Sequence, residues 1–192
     1  MAEGALHGRR STHSRAGVLA EVALCFALLE CALWTRRPAQ TWWGVAMLTL
    51  VAIFTLVGRR SARRLGLTVR GLKSALLVLP LAALACCALL LLGWSCGWLH
   101  PLFISSRLRG AGYILWALVQ QFMAQSFYFV RFEELMPSRR AVWVSALLFS
   151  LAHIPNPVLL PATFLGGLGF SEAFRRWRNL YPIWVAHAAL GM

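Results

Sequence analysis

Three amides and two imidazoles stand where lipid contact would otherwise be expected. Gln120, Gln121 and Gln125 fall inside one apolar run, His153 closes a second, and His187 sits inside a third. Buried amides donate and accept neutral hydrogen bonds, and an imidazole can serve as base, hydrogen-bond partner or metal ligand. Gln121 and Gln125 are one helical turn apart and share a face. Ser145, Phe149 and His153 repeat every four residues and stack on another. At 1.5 Å rise per residue, His153 lies about 18 Å from Ala141, and His187 about 10 Å from Leu180. Antiparallel helices entering from the same side therefore bring Gln120, Gln121, His153 and His187 to overlapping depths, and a polar pocket follows. Taken singly, each of these residues is also an ordinary interhelical hydrogen-bond partner, worth about 0.6 to 2 kcal/mol.

The elements that must position them are membrane helices. The 192 residues are 59% hydrophobic and only 13% charged, whereas a soluble domain carries roughly 25% charged residues. That composition excludes disorder and a two-domain soluble enzyme. Nineteen Lys and Arg oppose six acids, for a net charge of +13. The cations cluster between apolar runs instead of along one helical face, which points to membrane lipid as partner and against nucleic acid. The five cysteines have no disulfide or zinc spacing and read as small apolar side chains.

Apolar runs at 16–34, 41–58, 74–98 and 111–130 are each long enough to cross the bilayer, which takes roughly 20 residues. Shorter runs follow at 141–153, 157–174 and 180–192. The expected fold is all-α, a polytopic bundle of about seven spans whose last three are short or proline-interrupted. Its domains read as an amino-terminal tail (1–15), amino-terminal membrane helices (16–110) with a basic loop at 59–73, and a core (111–192). His153-Ile154-Pro155-Asn156-Pro157 cannot continue a regular helix, so it borders a cavity or marks the far interface. With the amino terminus in the cytoplasm, fifteen basic residues fall in inner loops and four (Arg36, Arg37, Arg107, Arg109) in outer ones, as the positive-inside rule requires. The 59–73 segment is a cytoplasmic loop or an amphipathic piece on the bilayer surface. The start lacks the features of a cleaved signal, because its apolar run holds Glu21 and Glu30. Those two acids read as structural. Glu133 and Glu134 read as solvated ion pairs among cytoplasmic arginines, and Glu172 lies close to Arg175 and Arg176.

From Leu115 onward the chain resembles the CPBP family of intramembrane proteases, the type II CAAX prenyl endopeptidases and related bacteriocin-processing or immunity proteins. The family carries EExxxR, then FxxxH, then HxxxN. Phe149-Ser150-Leu151-Ala152-His153 fits FxxxH, Leu180 to His187 resembles the approach to the last motif, and Gly166-Gly167 fits the intervening helix. The first motif departs: counting back from His153, EExxxR reads Gln120-Gln121-Phe122-Met123-Ala124-Gln125, and the final Asn is Gly191. The resemblance implies an intramembrane endopeptidase acting on membrane-associated or prenylated peptides. Its site would centre on His153 and His187, with Gln120 and Gln121 positioning water or substrate. It also leaves open a divalent metal such as zinc on His153 and His187, with Glu172 or Asn156 as a third ligand delivered by folding.

Gln cannot act as a general base, and both acids have gone together with the arginine, which avoids an unpaired buried ion. The alternative is therefore a catalytically inactive relative that binds membrane peptides as a scaffold or immunity factor. A transporter ranks below both, because no inverted repeat is visible. The expected location is an integral protein of a bacterial plasma membrane.

Overall fold

Twenty consecutive residues with only two acids make α1, Arg15–Trp34, and Ser14 starts it by accepting a hydrogen bond from the Gly17 amide at 3.1 Å. The computed structural model describes residues 14–97 and 107–191. The tail at 1–13 and the end of the third run at Trp98 lie outside the described residues. α2 (Ala39–Val57) folds back on α1, and a short turn of helix, α3 (Leu72–Ala75), leads into α4 (Val78–Ser95). These segments supply three helices long and apolar enough to cross a membrane. Their outer faces carry exposed Leu, Trp and Val, including Leu81, Leu84, Leu91 and Trp94 on α4. Such a surface belongs in hydrocarbon.

A single rod then runs from Arg107 to Leu135: α5 (Arg107–Gln121), a π-helical stretch (Phe122–Phe129) and α6 (Val130–Leu135). Pro137 ends the following turn and α7 (Ser138–Leu151) begins. α7 packs along α8 (Leu159–Trp177), and α9 (Tyr181–Gly191) packs against α4 and α5. The chain is thus an all-α membrane bundle, with Phe127, Phe129, Phe174, Leu180 and Ile183 at its centre.

One end of the bundle is tied by the 59–73 segment, which is neither a free loop nor a surface helix. Leu65 is buried, and its carbonyl accepts from the Ser126 hydroxyl at 2.7 Å. The Gly66 carbonyl accepts from the Leu180 amide at 2.9 Å, and Asn179 donates to the Thr68 carbonyl at 2.8 Å. Gly66 has φ +72° and lies against the Phe174 ring, so a side chain would clash there. The segment is therefore tied by its backbone to the π-helical stretch and to the α8–α9 corner, while Leu67 and Val69 stay exposed.

The acids at this end are paired. Arg60 binds Glu134 through two hydrogen bonds of 2.9 Å, and Arg178 binds Glu133. The two carboxylates are only 6% and 8% exposed, which corrects the expectation that they are solvated. Arg131, counted above as a loop charge, is wholly buried. Its guanidinium meets Glu21 of α1 at 2.7 Å, donates to the Phe127 carbonyl at 3.2 Å and lies over the Phe127 ring. Glu21 therefore has the structural role expected of it, and its partner is a residue that hydropathy places just beyond the span.

Candidate functional site

The site forms where α5 passes into the π-helical stretch. π turns inside α-helices recur at functional sites. Gln121 and Gln125, one turn apart across this junction, face each other at 0% and 1% exposure, with Gln125 Nε2 donating over 3.5 Å to Gln121 Oε1. That contact is long, and the next is not. Gln121 Nε2 donates to His187 Nδ1 of α9 at 2.8 Å. On the other side of the ring, His187 Nε2 donates to Gln120 Oε1 at 3.2 Å.

The polarity of this chain is self-consistent. Gln121 uses its carbonyl towards Gln125 and its amide towards His187, so His187 Nδ1 accepts and Nε2 carries the hydrogen. This is one neutral tautomer, with both ring nitrogens satisfied. The Phe149 and Phe170 rings flank it, with centroids 5.7 and 6.0 Å from that of His187.

His153 stands apart from the relay. Its Nδ1 lies 2.9 Å from the Phe149 carbonyl, an acceptor, so Nδ1 carries the hydrogen and Nε2 keeps its lone pair. The Phe149 ring touches both imidazoles, 5.2 Å from His153 and 5.7 Å from His187 between centroids. The structure therefore brings Gln120, Gln121, Gln125 and His187 into one hydrogen-bonded chain and leaves His153 beside it. His153 and Gln120 share the wall of a cavity of about 220 Å³ between α1, α5, the π-helical stretch and α7. The 152–157 turn thus borders a cavity through Ala152 and His153, while residues 154–157 are exposed.

The donor set does not fit a metal. Catalytic zinc takes about three protein ligands plus water, and the described residues contain no group of three or more His, Cys, Asp and Glu that could hold one. The His187 lone pair is engaged by Gln121. Neither proposed third ligand is delivered: Glu172 binds Arg175 and Arg176 at 2.7 and 2.5 Å, and Asn156 Oδ1 caps α8 by accepting from the Val158 and Leu159 amides.

Gly191 packs closely against α5. A Cβ built there would collide with the Tyr113 hydroxyl of α5, so the phenol fills the space that a side chain at 191 would need. Sequence reasoning missed Tyr113, because only the packing of α9 on α5 joins two residues so far apart. It missed Arg131 as well, although a lone arginine at the edge of an apolar run was a visible signal.

Residues 110–192 match the family model of type II CAAX prenyl endopeptidase Rce1-like proteins. No curated protein and no solved structure matches the chain. The matched segment begins inside α5 and holds the relay, His153 and Tyr113, and the carboxylate that neutralises its Arg131 comes from Glu21 of α1, outside it.

Proposed function

We propose that this protein is a non-cleaving Rce1-like membrane receptor that holds membrane-embedded or lipidated peptides, acting as a scaffold or immunity factor. The observation that carries the reading is the engagement of both His187 nitrogens by the amides of Gln120 and Gln121. Peptide hydrolysis needs a group that takes a proton from water. An amide cannot, and a base contributes typically 10²–10⁴-fold to rate. Gln120 is the member of the relay that lines the cavity, where its amide can meet a peptide amide. In this reading the amino terminus and the 59–73 segment face the cytoplasm of a bacterial cell, and lipid surrounds the exposed apolar faces of α1, α2 and α4.

One observation favours a second reading, endopeptidase activity: His153 Nε2 retains a lone pair and the side chain lines the cavity. The two readings separate in one experiment, with purified protein in bilayers given prenylated, acylated and transmembrane peptides. The receptor retains peptide intact, at the same background cleavage as His153→Ala. Cleavage by the native protein that His153→Ala abolishes establishes the protease instead.

A further inference from the structure

The cavity beside His153 is apolar on almost every side, and two buried hydroxyls interrupt it. Phe26, Leu29 and Leu33 of α1 form one wall, and Leu148 and Phe149 of α7 face them. Tyr128 and Ser145 also line it, at 4% and 2% exposure. Neither Tyr128 Oη nor Ser145 Oγ has a hydrogen-bond partner among the described residues. A buried hydroxyl without a partner loses its hydration with nothing in return, so two on one cavity wall are unfavourable unless a ligand meets them.

We infer that this cavity takes a fatty-acyl chain, with its carbonyl oxygen accepting hydrogen bonds from Tyr128 and Ser145. The apolar walls bury the chain. The hydroxyls can donate to an ester or amide carbonyl, whereas the thioether of an isoprenyl cysteine is only a weak acceptor. Acyl ligands are therefore selected over prenyl ones. The two hydroxyls that set this selectivity lie within the matched residues 110–192, whereas the α1 wall that helps to bury the chain lies outside them. The inference rests on the receptor reading, because it names the lipid that the held peptide carries. A membrane lipid ester presents the same acyl carbonyl, and the test separates the two sources.

The full chain is placed in nanodiscs of ether-linked phospholipid, which lack ester carbonyls. It is titrated with one peptide in two forms, palmitoylated through an amide or farnesylated through a thioether. The expected result is about tenfold tighter binding of the acyl form, since each neutral hydrogen bond contributes a fewfold gain. The preference should vanish in Tyr128→Phe/Ser145→Ala, which removes two unpartnered hydroxyls and should unfold no more readily than the native protein. If ester-linked nanodiscs weaken acyl binding in the native protein but not in this variant, the membrane lipid is an occupant and the assignment of the hydroxyls holds. Leu29→Trp, which fills the cavity from α1, should weaken acyl binding without touching the hydroxyls. Equal affinity for the two peptide forms, or a preference that survives the double variant, overturns the inference while leaving peptide capture intact. Failure to retain any peptide, lipidated or transmembrane, sinks the receptor reading itself.

Discussion

Gln121 uses both ends of its amide, one towards Gln125 and one towards His187, so no isosteric acid can replace it without losing the donor. The same interlock appears at Gly191, where the Tyr113 hydroxyl occupies the volume of a missing side chain. Gly191→Asn, which restores the residue that the motif would have, should lower stability by about 1–3 kcal/mol, the usual cost of overpacking. Pairing it with Tyr113→Ala should recover part of that loss. Thermal unfolding in detergent checks this, and a Gly191→Asn protein as stable as the native one would mean that Tyr113 does not hold that space. Changing one motif position alone therefore meets resistance from its neighbours.

At the scale of elements, the buried pair of Arg131 and Glu21 fastens α1 to α6. The rod α5–α6 contributes a cation that neither its own helix nor the π-helical stretch neutralises, and α1 supplies the carboxylate. Removing one partner of a buried pair typically costs about 3–5 kcal/mol, whereas replacing both with apolar side chains is often neutral. Arg131→Met should thus destabilise strongly, and Arg131→Met with Glu21→Leu should regain most of the loss in a double-mutant cycle. Simple additivity of the two changes would contradict the link. Because α1 also walls the cavity, loosening it should weaken acyl binding as well.

For the whole molecule, the receptor reading places the 59–73 segment and the α8–α9 corner together on the cytoplasmic side. Their contacts put Arg60, Arg64, Arg175, Arg176 and Arg178 at one end of the bundle, the arrangement that the loop charge count favours. Ser61 is exposed there, so a cysteine at position 61 should resist an impermeant thiol reagent in intact cells and react after lysis. Labelling of intact cells would reverse the orientation. Much of this architecture was legible in the sequence, since span length and charge clusters report on bilayer thickness and loops. The helices follow the seven apolar runs closely, α2 at Ala39–Val57 against 41–58 for example. Gln120, Gln121 and His187 could be nominated from depth and motif spacing alone. What was not legible depends on contacts between distant segments: the Arg131–Glu21 pair, the Tyr113–Gly191 fit and the docking of Gly66 on Phe174. The direction of the relay was hidden for the same reason, because only its neighbours decide which way an amide points.

Two glutamines hold His187 as a neutral ring with the hydrogen on Nε2, while His153 holds its hydrogen on Nδ1. Long-range proton–nitrogen NMR on protein labelled with ¹⁵N-histidine, in micelles at neutral pH, reads both tautomers directly, with His153→Ala and His187→Ala assigning the signals. The two rings should show opposite tautomers, and Gln121→Ala should change the signal of His187 Nδ1 while leaving His153 unmoved. A His187 ring protonated at Nδ1 or at both nitrogens, or one that shifts on addition of zinc, contradicts this assignment.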